Sequence, residues 1–329
     1  MKKTWNSPGL EDIGNDTRRQ YIDARSAFSA WEEAVRTAAE VRGGMYWKRQ
    51  GSGEYLIRTS TTNSQKSLGP RSPDTETIYD KFVVRKAEVQ ARVSDLEAEL
   101  TRQQRMNRAL FVGRAPQLLV DILAQFARSG LSEHFTVVGT HVLYAYEAAA
   151  GVRFRSSHAM ASRDFDFLWD TRKRIAFAAR MKMLDTSMLG LLKKIDPTFE
   201  LREDQRHTAV NSKGFEVDII RPSHGVGEGE GESRATLMSQ DEGDFWAVYA
   251  TRAEVLLNAP VFDSMIVSPS GYMARMRAVS PVTFAGFKRW MAAQPDRDPL
   301  KAPKDMLQAD LVEQLVAEYL PHLLADTKR

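Results

Sequence analysis

Arg163-Asp164-Phe165-Asp166-Phe167-Leu168-Trp169 sets Asp164 and Asp166 in alternation with Phe165, Phe167 and Trp169. A period of two is the period of a β-strand. The two aspartates therefore share one face, about 7 Å apart by strand rise, and the aromatic residues turn to the other. Upstream, Phe135-Thr136-Val137-Val138 is a short β-branched run broken by Gly139-Thr140, and the alanine-rich stretch from His141 to Ala150 follows as a helix. Such a strand-to-helix turn offers backbone N–H groups, a hydroxyl and a helix N-terminus to an anion. Downstream, Thr208–Val210 and Phe215–Ile220 flank Asn211-Ser212-Lys213-Gly214 and predict a hairpin, after a short strand at Thr198–Leu201. Asp218 lies between Val217 and Ile219, so its carboxylate faces away from those apolar neighbours.

The rest of the chain frames this segment. Its 329 residues are 43% apolar and carry no cysteine, enough for about two buried cores and incompatible with disulfides or thiolate metal sites. Lacking a long apolar run or a charged-then-apolar leader, the chain is expected to be cytoplasmic with no membrane partner. Residues 1–112 are expected to form a helical region with a small basic hairpin at about 45–58. Within it, Asp16–Val41 is amphipathic, Gly43-Gly44 stops the helix, and two short strands flank Gly51-Ser52-Gly53. Ser67–Pro73 is a turn-rich linker before a long charged helix from Thr75 to about Met106. Between Arg42 and Arg71 the cations Arg42, Lys48, Arg49, Arg58, Lys66 and Arg71 are opposed by Glu54 alone, a candidate polyanion-facing surface. Residues 113–222 are the expected catalytic domain, with helices at Pro116–Ser129 and Thr171–Ile195. Residues 223–329 are expected to be mostly helical after a Gly/Glu loop at Gly225–Gly231. Trp169, Trp246 and Trp290 are read as core or interface residues ahead of base-stacking platforms, and His141 as a structural or helix-start residue ahead of a catalytic base.

Three carboxylates from two strands suit a pair of divalent ions about 4 Å apart, which neutralise charge on attacking and leaving oxygens in nucleotidyl transfer. Mg2+ prefers hard oxygen donors, so Asp164, Asp166 and Asp218 are the metal-binding and catalytic candidates.

Val137-Val138-Gly139-Thr140, Arg163-Asp164-Phe165-Asp166-Phe167 and Glu216-Val217-Asp218-Ile219 together resemble the signature of the nucleotidyltransferase superfamily typified by DNA polymerase β. The chain is also similar to bacterial nucleotidyltransferase-like proteins related to abortive-infection toxins, over roughly Phe135 to Leu320. The resemblance implies an α+β fold, a mixed sheet with flanking helices, together with the helical N-terminal region and its hairpin and a helical C-terminal region. It implies that Asp164 and Asp166 bind two Mg2+ ions, or Mn2+ in their place, and that Asp218 binds one ion and helps activate the acceptor. Gly139 and Thr140 would hold nucleotide phosphates. Lys288, Lys301, Lys304 and Asp305 resemble the later nucleotide- and acceptor-contacting motifs. Two features depart from the pattern: Thr140 replaces the usual Gly or Ser, and the gap from Gly139 to Asp164 is long, leaving a loop with Arg153, Arg155, His158 and Arg163. The expected function is transfer of an NMP from an NTP to an acceptor hydroxyl. RNA, with tRNA foremost, is the expected acceptor, and a toxin or phage-defence role brings a cognate antitoxin as partner. The alternative is a catalytically inactive scaffold that binds nucleic acid or an antitoxin.

Overall fold

The computed structural model describes residues 9–61, 63–222, 234–236 and 245–326. The expected Gly225–Gly231 loop lies outside them. In chain order the first elements are β1 (Leu10–Asp12), α1 (Asn15–Glu40), β2 (Gly44–Gln50), β3 (Gly53–Thr59), β4 (Gln65–Pro70) and α2 (Pro73–Ala109). The chain divides into two compact units: Arg19–Asn107, and the described parts of Met1–Arg18 with Arg108–Arg329.

In the Arg19–Asn107 unit, β2, β3 and β4 form an antiparallel sheet of three strands. The third replaces the linker expected at Ser67–Pro73. Its Gly and Pro are not linker residues: the register slips beside Leu56 and Ile57, Gly69 takes φ 129°, and Pro70 ends an edge strand where a missing N–H costs nothing. Ser72 and Thr75 cap α2 reciprocally, Ser72 N donating to Thr75 Oγ1 (2.8 Å) and Thr75 N to Ser72 Oγ (3.3 Å).

The larger unit continues with α3 (Gln117–Ser129), β5 (Phe135–Val138), α4 (Leu143–Ala150), β6 (Val152–Phe154), α5 (Ser157–Met160), β7 (Asp164–Trp169), α6 (Arg174–Leu184), α7 (Met188–Lys193), β8 (Glu200–Leu201), β9 (Thr208–Val210), β10 (Glu216–Arg221), β11 (Arg234–Thr236) and β12 (Trp246–Tyr249). It closes with α8 (Ala253–Asn258), β13 (Val261–Val267), β14 (Met273–Val279), α9 (Pro281–Ala292), α10 (Ala302–Tyr319) and α11 (His322–Asp326). Among the described residues a mixed sheet runs β11-β12-β10-β7-β5-β14-β13, with β9 also paired to β10 and β8 to β9. This is the expected mixed sheet with flanking helices, and C-terminal helices follow it. The strands β11 to β14 are not what the helical reading of residues 223–329 expects; β14 pairs with β5 and so extends the sheet.

The single helix expected at Thr171–Ile195 is broken. Asp185 takes a left-handed φ of 47°, and Ser187 restarts the helix by accepting a hydrogen bond from Gly190 N (3.0 Å). Under the sheet, Phe126, Phe135 and Phe167 meet at ring separations of 5.1 to 6.4 Å. Each such buried ring contributes about 1.5–3 kcal/mol. Tyr146, fully buried, donates its hydroxyl to Val279 O (2.7 Å), which ties α4 to the strand beside β5.

Candidate active site

Register brings the sequence motifs together. β7 and β10 run parallel, with Asp164 opposite Glu216 and Asp166 opposite Asp218. Four carboxylates thus share one face where both strands begin. On the other side of β7, β5 runs antiparallel and ends with Val138 opposite Asp166, so the Gly139 turn starts beside the aspartates. Gly139 has φ 68°, and a Cβ there would collide with Asp166 Oδ2 and lie 3.0 Å from its Cγ. A turn this close to a carboxylate demands glycine. A short 3-10 turn, Gly139–Val142, leads into α4.

Asp164 is exposed, while Asp166 and Asp218 are half-buried. Burial, and next the Asp218 charge, pushes Asp166 up to about 7. Burial also pushes Asp218 up to about 6, against a hydrogen bond from Thr208, with Asp164 adding to the rise. Desolvated carboxylates raised by one another are anions short of a counter-cation. Their oxygens are the hard donors that Mg2+ selects, so the donor chemistry fits a divalent ion. Convergence is less complete. Asp218 accepts a hydrogen bond from Thr208 Oγ1, and Glu216 accepts one from Arg202 (2.9 Å). Among the described residues no three His, Asp or Glu side chains gather closely enough to hold one ion.

Facing the aspartates, α9 and α10 contribute Lys288, Lys301 and Lys304 to a cleft of about 610 Å³ whose walls include Gly139, Thr140, Asp164 and Asp166. Lys288 is only 8% exposed, unlike a lysine on a solvated helix face. It donates to Asp305 Oδ1 (2.7 Å), and Arg297 Nε donates to Asp305 Oδ2 (2.7 Å). Two cations on one carboxylate leave one positive charge in excess. Lys304 donates to Ala161 O, and burial followed by the Lys288 charge lowers its pKa. Lys301 is exposed at the start of α10. Asp218 is absent from the cleft wall; of the sequence-predicted residues it alone stands apart.

Arg297 and Gln308 are additions from the structure. Gln308, fully buried, donates to Thr140 Oγ1 (3.2 Å) and to Ala159 O (2.7 Å), which fixes the hydroxyl at the turn. Lys301, Lys304, Asp305 and Gln308 follow helical spacing, a stripe visible in the sequence; Arg297 sits in a loop and carries no such signal. His141 is 1% exposed and packs edge-on against Phe165 at 4.5 Å. Burial pushes its pKa down to about 4, so it is neutral at physiological pH.

Residues 117–329 match the model of a nucleotidyltransferase family. The chain belongs to that family. No curated protein and no solved structure matches it. As a nucleotidyltransferase it takes an NTP and transfers the nucleotidyl group. The match begins at α3 and takes in both walls of the cleft. Among the described residues no helix is long and apolar enough to cross a membrane.

Proposed function

We propose that this nucleotidyltransferase moves an NMP from an NTP to an acceptor hydroxyl, the acceptor oxygen bonding to the α-phosphorus as the bond to the β-phosphate breaks and pyrophosphate leaves, with divalent metal held by Asp164 and Asp166 and with Asp218 as the third carboxylate. The observation that carries the reading is the cleft itself, lined by Asp164 and Asp166 from β7 and, from the α9–α10 region, by Lys288, Arg297, Lys301 and Lys304 interleaved with Asp296, Asp298 and Asp305. Bound Mg2+ or Mn2+ supplies charge neutralisation at the phosphates. Gly139 and Thr140 present the turn to the triphosphate, Thr140 keeping its hydroxyl proton free because Gln308 already donates to its oxygen. Lys288, Lys301 and Lys304 balance phosphate charge, and Asp305 holds Lys288 and Arg297 in place. Asp218 leaves Thr208 and accepts the proton of the acceptor hydroxyl.

RNA, foremost tRNA, is the proposed acceptor, and a toxin or defence role with a cognate antitoxin goes with it. Support comes from exposed Arg42, Lys48, Arg49 and Lys66 in the N-terminal sheet region. The surface is smaller than the sequence suggests. Arg58 lies over the Phe82 ring (4.4 Å) and donates to Arg42 O (2.8 Å), and Arg71 bonds Glu54 and Glu76 (2.6 and 2.7 Å).

Purified protein incubated with each labelled NTP, Mg2+ and tRNA or total RNA is expected to transfer label. The Asp164→Ala/Asp166→Ala protein is expected not to. Transfer that persists in the double variant rejects this site. A second reading draws on the bond between Asp218 and Thr208, which leaves the carboxylates unconverged: a scaffold that binds nucleic acid without turnover. It predicts tight, salt-sensitive RNA binding with no metal-dependent NTP binding.

A further inference from the structure

The cleft is lined by two chemically different sets of side chains, and only the charged set is accounted for by metal and phosphate. Ile220, Leu256, Phe287, Trp290 and Met291 line it as well. Phe287, Trp290 and Met291 are spaced i, i+3, i+4 on α9 and so form one stripe. Trp290 differs from the core indole Trp169, which is 5% exposed: it is half-buried and forms part of the cleft surface.

Its position is braced. The Arg252 guanidinium carbon lies 4.9 Å from the Trp290 ring centroid, a cation–π distance, and the Phe287 ring meets it at 5.5 Å, tilted by 41°. Arg252 reaches the ring from a left-handed backbone, φ 59° and ψ 20°, at the start of α8. A non-glycine residue is seldom held there without compensation, and such strain concentrates at binding sites. Ala250 and Thr251, the residues just before it, also line the cleft. Just past the end of α9, Gln294 donates to Trp290 O (2.8 Å) and caps the helix terminus that carries the indole.

We propose that Trp290 is the platform on which the purine or pyrimidine ring of the incoming NTP stacks, with Arg252 and Phe287 as the residues that position the indole. This rests on the reading of the cleft as an NTP site. An NTP is a ligand with one polyanionic end and one flat, apolar-faced end, and a cleft of this size lined by both charged and aromatic side chains offers partners for each. Sequence reading places Trp290 among core or interface residues; its exposure to the same cleft as Asp164 and Asp166 is what changes its assignment. Because every base has a π-face, stacking alone tolerates several bases.

The test is calorimetry on the full chain with Mg2+ and, in turn, ATP, GTP, CTP, UTP and inorganic triphosphate, for wild type, Trp290→Phe, Trp290→Leu and Trp290→Ala. Wild type is expected to bind at least one NTP more tightly than inorganic triphosphate. Trp290→Ala and Trp290→Leu are expected to weaken that NTP by about 5- to 100-fold and to leave triphosphate unchanged, while Trp290→Phe retains most of the affinity. Trp290→Leu keeps apolar bulk, so the test survives if the alanine variant does not fold. Equal binding of NTP and triphosphate by wild type, or equal losses for both in the variants, or none, overturns the platform and leaves the triphosphate site standing. If wild type binds neither NTP nor triphosphate in the presence of Mg2+, the nucleotide reading of the cleft falls and the platform with it.

Discussion

Gly139 is glycine for two separate reasons, its left-handed φ and the Asp166 carboxylate that a Cβ would strike. Alanine there has to move either the turn or the aspartate. We expect Gly139→Ala to fold and to lose about 100-fold or more in nucleotidyl transfer, since displacements of about 1 Å at a reacting centre have that effect; unchanged transfer rates would separate the turn from the chemistry. Asp166 makes a different prediction, about stability. Its folded pKa of about 7 lies above the ordinary carboxylate value of 3.8, so the folded protein holds a proton that the unfolded chain releases. Stability is therefore full below about pH 4, falls as pH rises towards 7, and stays lowered above it. Asp166→Asn removes that loss. In metal-free buffer it is expected to be more stable than wild type by about 1–3 kcal/mol near pH 8 and no more stable near pH 4. Urea titrations at the two pH values measure this, and a gain that does not depend on pH would contradict the assigned shift.

At the scale of elements, the junction of α9 and α10 is held by Asp305, whose two oxygens take Lys288 and Arg297. Removing the carboxylate leaves two cations close together in a poorly solvated place. Asp305→Ala is expected to cost about 3–5 kcal/mol, while Asp305→Asn, which still accepts a hydrogen bond, costs less; a loss below about 1 kcal/mol for alanine would mean that water screens the group. Elements also show where local sequence misleads. β14 is Met273-Ala274-Arg275-Met276-Arg277-Ala278-Val279, and Met, Ala and Arg are all good helix formers. The period of two is nevertheless present, alternate residues being buried, and Gly271 at φ 87° closes the turn from β13. Partnership with β5 and β13 overrides propensity here. Asp185 and Ser187 carry the turn and cap chemistry that divides α6 from α7, a signal hidden by the apolar residues on either side.

At the scale of the whole molecule, ligand binding is linked to global stability. An NTP with Mg2+ at about 100 times its Kd stabilises the folded state by about 2.7 kcal/mol, so the melting temperature of wild type is expected to rise by several degrees while that of Asp164→Ala/Asp166→Ala stays fixed; equal shifts in both would place the nucleotide elsewhere. The Arg19–Asn107 unit makes its own prediction. If Lys48, Arg49 and Lys66 contact RNA phosphates, reversing them to Glu weakens RNA binding and flattens the dependence of log K on log salt by about 0.7 per lost contact. Filter binding across a salt series measures that slope. An unchanged slope removes this surface from RNA recognition.

Sequence alone determined the strand period at Asp164–Trp169, the Gly139 turn and the hairpin that carries Asp218, because alternation, glycine and turn residues act over a few neighbours, while the mixed sheet with its helices was implied by the resemblance those motifs carry together. The sheet register decided that Asp166 stands beside Asp218 and next to Gly139. The packing of α9 and α10 decided that Lys288 is buried on Asp305, that Gln308 reaches Thr140 and that Trp290 opens onto the cleft. Those relations join residues from 17 positions apart (Lys288 and Asp305) to 168 (Thr140 and Gln308), and no local pattern encodes which side chains a closing sheet will bring within hydrogen-bond reach.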